Sequence, residues 1–187
     1  MSDTISSVVN NVLEGTFGDD QLTGTTGSDV FIGAKGNDFM DGHAGDDIYR
    51  YEQGDGRDAI FDTSGYDKIQ LGEGITDEMV RFERLAQGHQ AGFSDLQVLI
   101  ADENGVFGDM GITIHGALEG PEFAIETLEF ADGSSLSFAE MLERSLLIYG
   151  GESDDVLQGT DQQDIFWAGK GNDFMDGHAG DDIYRYE

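Results

Sequence analysis

Large apolar side chains recur every nine residues in two stretches of the chain: Leu22, Phe31, Met40 and Tyr49, then Leu157, Phe166, Met175 and Tyr184. An aspartate stands two places before each of them, at Asp20, Asp29, Asp38, Asp47, Asp155, Asp164, Asp173 and Asp182. Cut into nines, the first stretch reads GTFGDDQLT, GTTGSDVFI, GAKGNDFMD and GHAGDDIYR over 15–50. The second reads GGESDDVLQ, GTDQQDIFW, AGKGNDFMD and GHAGDDIYR over 150–185. Position six is always Asp and position eight always large and apolar. The last residues of each unit suffice for one short strand, with position eight on one face and positions seven and nine on the other. Position seven is also apolar at Val30, Phe39, Ile48, Val156, Ile165, Phe174 and Ile183. That outward stripe is either covered by another part of the protein or made of ordinary half-exposed strand residues.

A fixed period decides architecture before any local propensity does. Gly15, Gly18, Gly24, Gly27, Gly33, Gly36, Gly42 and Gly45 punctuate the first stretch, and Gly169, Gly171, Gly177 and Gly180 the second. Glycine is the default where the chain turns with φ > 0 and presents its carbonyls. The aspartate then closes each turn with a hard anionic oxygen. Stacked turns bring carbonyls and carboxylates together in an all-oxygen, flexible cage, which suits Ca²⁺ better than the strictly octahedral Mg²⁺. With no cysteine and four histidines, zinc and copper are disfavoured. Solvated acidic turns would explain isolated Asp-Gly pairs; they do not explain eight phased copies with phased apolar partners.

The nonapeptide resembles the G-G-x-G-x-D-x-U-x repeat of RTX proteins, the haemolysin-type calcium-binding parallel β-roll. The segment YEQGDGRDAIFDTSGYDKIQLGEGI (51–75) is similar to that family's usual exit from the roll. The resemblance implies two nonapeptides per coil, with Ca²⁺ between one turn and the turn two repeats later. On that basis Asp20 pairs with Asp38, Asp29 with Asp47, Asp155 with Asp173 and Asp164 with Asp182. Asp58, Asp62 and Asp67 are further ligands implied at the exit. Two turns depart from the pattern, with Ser153 and Gln162 at position four instead of glycine. A left-handed non-glycine residue costs about 1–2 kcal/mol, so the second roll is expected to be the poorer at its start.

Residues 33–52 and 168–187 are nearly the same 20-mer, 135 positions apart; only the first two letters are exchanged. The second copy stops where the first continues into its exit segment. A fragment of a longer array, or an end that closes against another copy of itself, is the expectation.

Between the two blocks the nine-residue beat is lost. Alternation predicts strands near Met79–Leu85, Leu96–Ala101, Gly111–Ala117 and Ile125–Phe130. Ala131-Asp132-Gly133 is a hairpin cue. Ser137 and Glu140 form a capping box opening a short helix through about Leu147, with Phe138, Met141, Leu142 and Leu146 on one face. Gly150-Gly151 is expected to stop it. The stretch TLEFADGSSLSFAEML resembles a segment that follows RTX blocks in large bacterial repeat proteins, implying a cap on the first roll.

The predicted fold is mainly all-β: two parallel β-roll blocks flanking a small β-rich insert with one short helix. The predicted divisions are a linker (1–14), the first roll with its exit (15–75), the insert (76–149) and the second roll (150–187).

Charge sharpens this picture. With 39 acidic against 9 basic residues the formal charge is −30, and such repulsion opposes a compact state until something neutralises it. Nucleic acid needs a basic footprint and is a poor partner, and so is an anionic membrane surface, for the same reason. Aromatic residues at 10% and apolar residues at 38% are enough for a core, unlike a disordered acidic tail. No 18-residue apolar run is long enough to span a membrane, and no N-terminal signal peptide is visible.

No G-x-S-x-G, H-E-x-x-H or P-loop motif occurs. His43 and His178 fall in equivalent turns, His89 in a polar loop, His115 in a strand, and Trp167 at position nine, where surface packing accounts for it. The expected function is a non-enzymatic calcium-binding module that folds outside the cell. Family resemblance implies a secreted bacterial protein using type I secretion. A segment of a repetitive adhesin, or the accessory domain of an exported protease or lipase, are the alternatives.

Overall fold

The computed structural model describes residues 11–86, 94–159 and 163–186. Each nonapeptide contributes a turn and one short strand, and successive strands fall alternately on two sheets. In the first roll these are β1 (Asn11–Glu14), β2 (Gln21–Thr23), β3 (Asp29–Ile32), β4 (Phe39–His43), β5 (Ile48–Tyr51), β6 (Arg57–Asp62) and β7 (Lys68–Leu71). Odd strands pair in parallel with odd ones and even with even. The register puts Phe31 opposite Tyr49 and Leu22 opposite Met40. Two nonapeptides therefore make one coil.

Position eight lines the space between the sheets. Phe31, Met40, Tyr49 and Phe166 are fully buried, while Leu22 and Met175 are half-buried and Tyr184 is exposed. Phe31 stacks on Tyr49 with centroids 4.9 Å apart, and the equivalent pair Phe166–Tyr184 at 5.0 Å. The two rolls thus stack the same ring positions, as their shared nine-residue phase requires.

The insert comprises β8 (Val80–Ala86), β9 (Ser94–Ala101), β10 (Phe107–Ile114), β11 (Thr127–Glu129), β12 (Ser135–Ser137) and α1 (Phe138–Arg144). Its strands extend both sheets of the roll. Strand β10 pairs in parallel with β6, and β11 in parallel with β7. The sheets run β1-β3-β5-β7-β11-β12 and β2-β4-β6-β10-β9-β8. One core follows, in which Ile60 and Ile69 of the roll join Val98, Ile112, Leu128 and Met141 of the insert. Burying that apolar surface is the main attraction between the two parts. Arg84 of β8 donates to Ser145 Oγ at 2.9 Å and to the Leu142 carbonyl, tying the sheet edge to the end of α1.

Three sequence expectations change here. The predicted 1–14 linker instead supplies β1, because counting back nine from Gly15 gives SSVVNNVLE, with Asn11 at position six and Leu13 at position eight. The helix ends at Arg144, not near Leu147, and Ser145 rather than Gly150 follows it as the cap. Leu147–Tyr149 forms strand β13 and pairs with β15 (Ile165–Trp167), since an apolar run beside a parallel edge does better in the sheet than in a last helical turn. The second roll continues with β14 (Val156–Gln158), β16 (Phe174–Asp176) and β17 (Ile183–Arg185). The capping box itself is present: Glu140 N–H donates to the Ser137 hydroxyl and Ser137 N–H to the Glu140 carboxylate.

The glycines do two different jobs. At position one the need is space: a Cβ on Gly42 would lie 2.4 Å from Asp62 Oδ2. At position four of the later coils the backbone is left-handed, as at Gly36 and Gly56, whereas Gly18 in the first coil is not. Ser153 also lies in a first coil and has no positive φ, so the strain expected there does not arise; Gln162 lies outside the described residues. A Cβ on Gly56 would meet the Gly36 carbonyl oxygen at 2.0 Å, while one on Gly18 meets nothing within 4 Å. Gly56→Ala is therefore expected to destabilise the calcium-loaded chain by about 2–4 kcal/mol. Gly18→Ala should be neutral or slightly stabilising, both read from urea melts. Equal effects would contradict the assigned coil positions.

Candidate metal centre

The position-six aspartates form two ladders along the turns of the first roll. On one, Asp20 N–H donates to Asp38 Oδ1 at 2.8 Å and Asp38 N–H to Asp58 Oδ1 at 3.0 Å. On the other, Asp29 N–H donates to Asp47 Oδ1 at 2.7 Å, Asp47 N–H to Asp67 Oδ1 at 2.8 Å, and Asp67 N–H to Glu126 Oε2 at 2.7 Å. The second roll repeats the rung from Asp155 to Asp173 and from Asp164 to Asp182, both at 3.0 Å. The exit residues Asp58 and Asp67 keep the ladder although they lie 20 rather than 18 residues on. The extra residues are taken up in the turn at Gly54 and Gly56, both with positive φ.

The second oxygen of each carboxylate separates first coils from later ones. In the first coil the position-two residue satisfies it: Thr16 N–H and hydroxyl reach Asp20 Oδ2 at 2.6 and 2.8 Å, and Thr25 does the same for Asp29. Gly151 N–H likewise donates to Asp155 Oδ2. In the later coils position two is left-handed, with φ of 67° at Ala34, 65° at His43 and 58° at His178. That conformation is sparsely populated for residues with a Cβ. Neither Ala34 nor His43 N–H donates to its aspartate. As a result Asp38 Oδ2, Asp47 Oδ2 and Asp58 Oδ2 are buried with no hydrogen-bond partner, as is Asp29 Oδ1. Sequence reasoning assigned His43 and His178 to the turn surface; the backbone strain at position two had no sequence signal.

Asp62 stands outside the ladders. Its Oδ2 accepts the Tyr49 hydroxyl at 2.5 Å, and its Oδ1 accepts Thr63 N–H at 2.7 Å. It nevertheless converges with Asp47 and Asp67: one oxygen from each of the three buried carboxylates lies within 4.8 Å of the others. Burial pushes Asp47 and Asp58 up to about 7 and Asp67 to about 8, and neighbouring carboxylates add to the rise against backbone hydrogen bonds. Asp38 and Asp62 are raised by burial as well. Buried carboxylates without a cation are costly, and an unpartnered buried oxygen costs more than a satisfied one. The donor set is oxygen throughout, so a hard cation fits these residues and a soft one does not.

Other sequence-flagged residues fall elsewhere. Trp167 is at the surface with the Arg185 guanidinium over its ring. His89 lies outside the described residues, and His115 finds a partner in Asp95, at 2.9 Å. Glu126, which takes the rung after Asp67, lay beyond sequence reasoning because nothing periodic links residues 59 apart.

The family model for the RTX calcium-binding nonapeptide repeat matches residues 10–49, 52–74 and 149–184, in four copies and over more than half of the chain. The chain belongs to the RTX calcium-binding repeat family. No curated protein matches it in sequence. The RTX match takes in β1, outside the eight units read from the sequence, and the exit segment that carries Asp58, Asp62 and Asp67. The parallel β-roll seen here is the fold those repeats imply.

Proposed function

We propose that the chain is a non-enzymatic module that calcium folds, within a secreted bacterial protein. Asp38, Asp47, Asp58 and Asp67 are the central ligands, with Asp20, Asp29 and Asp62 beside them. Asp155, Asp164, Asp173 and Asp182 take the same roles in the second roll, and the turn glycines shape each site. The observation that carries this reading is the set of buried, unpartnered carboxylate oxygens on the ladders. Bound calcium supplies the charge these oxygens lack. In a low-calcium cytoplasm the −30 chain stays unfolded, and outside the cell each site adds stability by mass action. Sites of extracellular modules are tuned to about 10⁻⁴–10⁻³ M. Type I secretion, the family's usual route, suits a chain that is exported unfolded.

The near-identical 20-mer that recurs 135 positions on favours a place in a longer array, such as a surface adhesin whose stalk calcium stiffens. Val156 and Phe174 are exposed on the second roll and offer such an array a surface for another copy. Titration calorimetry tests the metal assignment. Several calcium ions should bind per chain, and magnesium at the same concentration should not replace them; equal binding of the two would refute the assigned chemistry.

A further inference from the structure

A groove of about 880 Å³ lies where the roll meets the insert, on the outer face of the sheet containing β4, β6, β10 and β9. That volume falls within the range of about 300–1,000 Å³ typical of small-molecule sites. Its apolar wall comes from the roll: Phe39 and Phe61 are half-buried, and Phe61 is backed by Phe123 with centroids 6.0 Å apart. Its polar lining comes from both parts: Asn37, Arg57 and the ladder residues Asp38 and Asp58 from the roll, with Asp95 and His115 from the insert. Asp95 is fully buried, takes the Gly116 N–H at 2.9 Å and holds His115 Nδ1 at 2.9 Å, which fixes the imidazole beside Phe39. Arg57 is held over the groove by the Gly108 carbonyl at 2.8 Å, and its own N–H is met by Asn37.

We propose that this groove binds a neutral oligosaccharide, a role beyond calcium-driven folding that rests on it, because Asp38 and Asp58 of the calcium ladder also line the groove. The polar groups are of both signs and include donors and acceptors, which matches hydroxyl groups. An anionic ligand would face Asp109 and a chain of net charge −30. A cationic ligand would face Arg57 and the calcium that the proposed function puts on Asp38 and Asp58, with Asp95 already held by His115. The apolar face of a sugar ring packs on an aromatic ring such as Phe39, while its hydroxyls use the opposite wall. Because β4 and β6 belong to the roll and β9 and β10 to the insert, the groove exists only when both are folded together.

The test uses the full chain in saturating calcium, with its fold checked by far-UV circular dichroism. Neutral tri- to pentasaccharides of the gluco-, manno- and N-acetylglucosamine series are titrated and followed by NMR. One series should bind and perturb the resonances of Phe39 and His115. Phe39→Ala should weaken that binding at least about tenfold, equivalent to about 1.4 kcal/mol. Arg57→Gln, which leaves the apolar wall intact, should also weaken it, and Val156→Ala, exposed on the second roll, should not. Binding of no neutral saccharide overturns the proposal. So does binding indifferent to Phe39→Ala and Arg57→Gln, or binding only of an acidic saccharide or a basic peptide. Calcium-dependent folding would stand in any of these cases, since circular dichroism reports it separately.

Discussion

Replacing Asp47 with asparagine is expected to move the chain in opposite directions with and without calcium. The amide oxygen can still accept the Asp29 N–H that Asp47 Oδ1 now takes, so the ladder keeps its rung. What disappears is a buried charge beside Asp62 and Asp67. Without calcium that charge has no counter-ion, and its removal relieves both burial and repulsion, so more β-structure should persist in EGTA. With calcium the variant should lack a ligand. Losing one site at ten times its Kd costs about 1.4 kcal/mol, or about 3–6 °C in Tm for a chain of this size. Exposed Glu73→Gln is the control and should change neither state. A purely structural role for Asp47 would lower stability under both conditions, which circular dichroism melts would reveal.

Acid is expected to act in the same two-sided way. Asp47 and Asp58 lie near 7 and Asp67 near 8 in the folded chain, above the ordinary value of 3.8. The folded form without calcium therefore binds more protons than the unfolded form between about pH 4 and 8. The stability these three groups contribute is fully present below pH 4 and is lost as pH rises through 7 to 8. Calcium reverses the dependence, because the metal requires the deprotonated carboxylates. The calcium concentration at mid-folding should rise by at least about tenfold between pH 8 and pH 5.5. Without calcium, the chain at pH 4.5 should hold more β-structure than at pH 8. A midpoint independent of pH would remove Asp47, Asp58 and Asp67 from the sites.

The phase of the repeats was legible because turn, carboxylate and inward side chain recur at one spacing, and position eight is buried through the middle of the first roll at Phe31, Met40 and Tyr49. Units lacking the Gly and Asp letters escaped that reading. Asn11 at position six hid β1, and Leu147–Tyr149 was absorbed into a helical pattern that suits it locally. The insert's strands were mostly visible from alternation, but not their partners, since the β6–β10 pairing joins residues over 50 apart. The aspartates were visible as a set. Their inequality was not: Asp20 Oδ2 is satisfied by Thr16 while Asp38 Oδ2 is bare, a difference made by the backbone at position two. The Asp95–His115 pair was equally hidden, as it depends on two strands coming into register.

Far-UV circular dichroism of the full chain across a calcium titration tests the central claim most directly. The buried, unpartnered oxygens of Asp38, Asp47 and Asp58 require a disordered spectrum in EGTA at pH 8. Calcium should then bring a steep, cooperative rise of β-structure, with a midpoint near 10⁻⁴–10⁻³ M. A chain showing the same β-spectrum in EGTA and in calcium would contradict the account.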